Sequence, residues 1–108
     1  MPKYLAEGRY TADGAKGLAH EGGSLRRADI AKTIESAGGK LEAIYFAFGD
    51  DDFITIFDVS DNIATAALSV AANKSGFLLS KTVVLITPDE MDQAIKKAKT
   101  IEYLPPGH

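Results

Sequence analysis

Short runs in which apolar and polar positions alternate are separated, along this chain, by longer stretches where apolar residues return every three or four places. Residues 3–10, Lys-Tyr-Leu-Ala-Glu-Gly-Arg-Tyr, alternate and predict a first strand, with Gly8 marking close approach by a neighbouring element. From Thr11 to Gly23 the pattern is mixed. Leu18 and His20 suit a helical turn, whereas Gly14, Gly17, Gly22 and Gly23 oppose one, so a loose or broken helix is expected. Ser24 predicts the cap of a better helix, with Leu25, Ala28, Ala31, Ile34 and Ala37 on one face and Gly38-Gly39 ending it. Lys40 to Phe48 and Phe53 to Val59 read as two strands of a hairpin around Gly49-Asp50-Asp51-Asp52.

Asp61 predicts the cap of a helix over 62–75 that is nearly apolar, with Lys74 its one charge, which implies cover on more than one side. Gly76 stops that helix, and Phe77 to Ile86 supplies a fourth strand. Thr87-Pro88-Asp89-Glu90 combines a cap, a proline at the first helical position and a glutamate three places after the cap, a capping box. The helix it opens carries Met91, Ala94, Ile95 and Ala98 as its apolar stripe and Lys96, Lys97 and Lys99 near its end. Thr100 to Leu104 reads as a short added strand, and 105–108 as a mobile tail. One domain over residues 1–104 is expected.

The order β, α, β, β, α, β, with a helix appended, is that of an α+β, ferredoxin-like split βαβ fold. It has a four-stranded antiparallel sheet, helices on one face and the other face open. Alternation puts Tyr4, Ala6 and Gly8 on one side of the first strand and Leu5, Glu7 and Arg9 on the other; in the fourth strand Lys81, Val83 and Leu85 share a face. Glu7, Arg9 and Lys81 are thus expected on the open face beside Leu5, Val83 and Leu85. Such an apolar surface calls for a second sheet, and charges covered by it must be paired; Glu7 with Arg9 or Lys81 is the pairing expected.

Composition narrows the function classes. The chain is 45% hydrophobic and 25% charged, which is ordinary globular usage. A net charge of −3 without a basic run speaks against nucleic acid or an anionic membrane as partner. The absence of cysteine removes thiolate metal sites, disulfides and thiol nucleophiles. No signal-peptide pattern and no apolar run of about 18 residues is present, so a cytoplasmic setting is expected.

Several residues recur in a known family: Met-Pro-Lys-Tyr-Leu at the start with Arg9-Tyr10-Thr11, then Gly38-Gly39-Lys40-Leu41, then Gly49 to Asp52 followed by Phe53-Ile54-Thr55-Ile56, and Ser80-Lys81-Thr82 before the Thr87 helix start. The chain resembles the GYD domain family from about Pro2 to Glu90. The family usually shows a tyrosine where Asp51 stands here. The resemblance implies a ferredoxin-like fold related to dimeric α+β barrels, in which two open sheet faces meet around a cavity; some such barrels are cofactor-independent monooxygenases or decarboxylases. It assigns no reaction.

Two functions follow as expectations. One is a homo-oligomeric module that holds a small molecule in the inter-sheet cavity beside Glu7, Arg9, Tyr10 and Lys81. The other is a cofactor-independent enzyme using the same polar groups. No cofactor motif is present: the glycines between 14 and 23 match neither a dinucleotide fingerprint nor a phosphate loop. Asp50, Asp51 and Asp52 lack calcium-loop spacing and read as turn chemistry. His20 and His108 have no metal-ligand spacing, and no catalytic residue is assigned. Tyr10, Tyr45, Phe46 and Phe48 could line a pocket, but aromatics in strands belong more often to core or interface, and that is the expectation for them.

Overall fold

The computed structural model describes residues 1–108. Strand β1 (Lys3–Tyr10) leads into α1 (Ala12–Glu21) and α2 (Gly23–Ser36), followed by the hairpin β2 (Lys40–Phe46) and β3 (Phe53–Asp58), then α3 (Asn62–Lys74), β4 (Leu78–Leu85) and α4 (Pro88–Ala98). All pairings are antiparallel and the sheet order is β2-β3-β1-β4, with β1 central because both its neighbours reach it from non-adjacent positions in the chain. This is the expected ferredoxin-like α+β arrangement.

The helix-facing side of the sheet carries the core. Tyr4, Phe57 and Leu41 pack with Ile34 of α2 and with Val59, while Ile30, Ala31, Ala64 and Leu68 close around them. Tyr4 stacks on Phe57 at a centroid distance of 5.8 Å and donates its hydroxyl proton to Asn62 at 2.7 Å, so a buried ring keeps its polar end satisfied. Gly8 is where β4 passes closest to β1. A β-carbon there would lie 2.1 Å from the Leu79 carbonyl oxygen.

The stretch after Thr11 departs from expectation. It is a regular helix, because the Thr11 side chain accepts from the Gly14 amide at its start and the glycines need not break a helix whose side packs against the body. The break falls at Gly22, whose φ of 84° turns the chain between α1 and α2 and takes the capping position expected of Ser24. Leu25, expected on the packed face, is exposed. Asp61 and Thr87 cap α3 and α4 as expected, the latter with both arms of its capping box formed.

Three further expectations are corrected. Helix α3 is covered on one side only: the fold has two layers, nothing lies outside the helices, and Ile63 and Val70 are left exposed. Residues 100–104 form no strand and pair with none of the four that make the sheet. Tyr45, Phe46 and Phe48 are exposed in the single chain and so lie outside its core, Tyr45 because it faces away from the helices and Phe48 because it stands on the hairpin tip.

Candidate functional site

A cleft opens between α2 and α3 over the sheet, its floor mixing the small or polar side chains of Ala6, Thr55, Ser80 and Thr82 with the larger Phe53, Phe57 and Leu78. Its inner part is an apolar cavity of about 80 Å³. Ile30, Thr33, Ala72 and Leu78 also line the next cavity, of about 470 Å³, which opens between α1, α2 and the end of α3. That size is in the range of small-molecule pockets, and the lining is mixed: Leu18, Ile30, Phe77 and Leu78 give it apolar walls, while Asp13, Thr33 and Ser75 are among its polar groups.

Local chemistry fixes the walls. The Thr11 amide donates to the Phe77 carbonyl at 3.0 Å and the Thr11 hydroxyl to that of Gly76 at 2.8 Å, which ties the start of α1 to the approach to β4. Gly14 permits this closeness, for a β-carbon there would sit 1.8 Å from the Phe77 carbonyl oxygen. Asn73 accepts from the Ser80 amide at 2.8 Å and donates to Ser69 at 2.7 Å, holding the end of α3 against β4.

Three polar side chains meet in the larger cavity: Tyr10 from the end of β1, Glu21 from the end of α1 and Arg26 from the first turn of α2. The turn at Gly22 brings the last two together. Glu21 Oε1 and Arg26 Nε are both buried without a hydrogen-bond partner, a costly condition that a ligand could relieve. Burial pushes the Tyr10 hydroxyl above its ordinary value, against the pull of the Arg26 guanidinium and with help from Glu21 and Asp52. Tyr10 is therefore a neutral donor at physiological pH. Its ring lies against Phe53, centroids 5.1 Å apart.

The expected site residues divide between the two faces of the sheet. Tyr10 shares the helix-facing side with Tyr4, Ala6 and Gly8 and lines the large cavity. Glu7, Arg9 and Lys81 stand on the opposite face and line neither cavity. Glu7 and Lys81 are direct cross-strand partners, yet Lys81 Nζ pairs with Asp51 at 3.3 Å instead of with Glu7. In the single, uncovered chain Glu7 forms no ion pair with Arg9 or Lys81, and the hairpin tip brings a second carboxylate within reach of the lysine. The aspartate run is otherwise structural: Asp52 accepts from the Tyr10 amide at 2.9 Å, and its own amide donates to the Gly8 carbonyl at 2.7 Å. Sequence reading did not single out Glu21 and Arg26. The signal available was the Gly22-Gly23 break, which sets the residues on either side of it at a corner.

The family model for the GYD domain matches residues 4–95. The chain belongs to the GYD domain family. No curated protein matches it. In this GYD protein Asp51, between β2 and β3, is the ion-pair partner of Lys81 on β4. No helix is long and apolar enough to cross a membrane.

Proposed function

We propose that this GYD protein is a homo-oligomeric small-molecule-binding module whose ligand occupies the helix-side cleft between α1, α2 and α3. The observation that carries the reading is the pair of unpartnered buried atoms, Arg26 Nε and Glu21 Oε1, in a cavity of about 470 Å³. Such a pair suits a molecule with an apolar body and a polar end that presents both an acceptor and a donor, as a carboxamide does. Tyr10 supplies a further donor.

Self-association is supported by the other face. One row across the sheet, Ala43, Ile56, Leu5 and Val83, is apolar from edge to edge, and Val83 is 51% exposed in the single chain. A second copy laid on this row would bury it and bring Glu7, Arg9 and Lys81 into the contact.

The test is thermal-shift screening with small aromatic carboxamides, followed by native mass spectrometry. A ligand at about 100 times its Kd stabilises by about 2.7 kcal/mol, which raises the Tm by on the order of 10 °C in a domain this small. The expected result is a shift that Arg26→Leu abolishes and Lys81→Ala keeps. The reverse pattern would move the ligand to the open face.

A cofactor-independent enzyme is the second reading, favoured by the burial of Tyr10 beside Arg26 and Glu21, since titratable groups perturbed in an enclosed site are the ones that exchange protons with a substrate. Tyr10→Phe separates the two: a binding module keeps most of its affinity, and an enzyme loses turnover with little change in binding.

A further inference from the structure

Helix α4 lies off the body. Every residue from Ile86 to His108 is exposed, and the chain extends to 55 Å along its longest axis. Its radius of gyration is 17.0 Å, against about 13 Å for a compact chain of this length. Met91 and Ile95 are half exposed on one stripe of the helix. An isolated helix of 11 residues is marginal in water, even with its capping box, and needs packing along its apolar face. Its own chain provides none.

We propose that α4 pairs antiparallel with α4 of a second copy of this chain, about a two-fold axis passing between Ala94 and Ile95. The sequence of the helix is complementary to itself in this arrangement. Met91 of one copy falls opposite Ala98 of the other, and Ala94 opposite Ile95, so each large side chain meets a small one and the helices can approach closely. The flanks agree. Glu90 and Lys97 lie on one side of the stripe and Asp92 and Lys99 on the other, and in a symmetric antiparallel pair like flanks face each other. Each glutamate or aspartate then meets a lysine of the second copy: Glu90 meets Lys97, and Asp92 meets Lys99. Glu90 gives one carboxylate oxygen to the Thr87 amide and keeps the other for this contact.

The acidic start and basic end of α4 also suit the helix's own dipole. That effect does not require the charges to flank the apolar stripe, nor the stripe to be symmetric about its midpoint. An 11-residue pair is too small to hold a dimer alone, so the contact supplements the association of the open sheet faces. The inference is independent of the ligand reading, which concerns the opposite end of β1.

The chain lacks cysteine, which makes register directly testable. Met91→Cys and Ala98→Cys chains of the full-length protein, one of them carrying a mass tag, are oxidised separately and mixed. The expected product is a disulfide between the two variants in the mixture, with none in either alone, because like positions lie about 10 Å apart in this register, beyond disulfide reach. A second measurement is sedimentation of Ile95→Glu, expected to weaken association about tenfold or more while the body unfolds as before. A Met91→Cys chain that cross-links to itself, or a mixture that does not cross-link, overturns the proposal; so does full association of Ile95→Glu. In the first case the helices run parallel. In the others α4 serves the partner's sheet face or a different protein.

Discussion

Gly14 shows how a single missing side chain shapes the candidate site. With a β-carbon 1.8 Å from the Phe77 carbonyl, α1 would have to back away from β4, and the cavity wall would move with it. Gly14→Ala gains helix propensity of about 1 kcal/mol, but the clash is with backbone, which cannot rotate aside. A net loss of about 1–3 kcal/mol is expected in urea unfolding, typical of overpacking. Tyr10 offers a different check. Its hydroxyl has a raised pKa in the folded protein, so the folded state holds its proton longer than the unfolded chain, whose value is 10.0. Stability attributable to this group is intact below pH 10 and declines as pH rises through 10 toward the higher folded value. Ultraviolet titration should show a component that ionises above the ordinary tyrosine value, and Tyr10→Phe should remove it. An unchanged titration curve would place Tyr10 in solvent.

Helices differ in how much of their behaviour is local. The capping box at Thr87 was readable from four consecutive residues because every group involved lies within one turn, and both of its hydrogen bonds are formed. Thr87→Ala should cost about 1 kcal/mol of helix stability. Since α4 is off the body, that loss should appear in circular dichroism and in self-association, leaving the main unfolding transition in place. Helix α3 is the opposite case. Its composition implied cover on more than one side, yet only the side bearing Thr65 and Leu68 meets the sheet; which flank of an alanine-rich helix is covered depends on the layers around it. The helix between Thr11 and Gly22 was misread for a related reason, as Gly14 reduces propensity but allows a contact with a segment more than sixty residues away.

Taken together, the chain is a two-layer body with two unsatisfied surfaces, a bare sheet face and a bare helix. Removing everything after Ile86 takes away residues that are all exposed, so thermal unfolding of the remaining body should shift by no more than about 2 °C, in line with the small effect of altering groups without buried contacts. Light scattering should at the same time report a smaller assembly. Replacing Val83 by glutamate sets a charge in the middle of the apolar row and should dissociate the sheet-face contact, because an unpaired charge within a contact costs several kcal/mol. A Val83→Glu chain that still associates as the wild type does would show that the open face is not where copies meet.

Strand parity, caps and the order of elements follow from interactions between residues close in the chain, and for that reason the sequence was enough to give the ferredoxin-like topology and to put Glu7, Arg9 and Lys81 on one face. Parity carried one step further would have put Tyr10 on the face of Tyr4 and Ala6, where the structure has it, rather than with the charges. The meeting of Tyr10, Glu21 and Arg26, the choice of Asp51 over Glu7 by Lys81, and the cleft between α2 and α3 arise from contacts between distant segments. Such contacts depend on how far two packed layers approach, a distance that side-chain volumes set jointly and that no local pattern encodes.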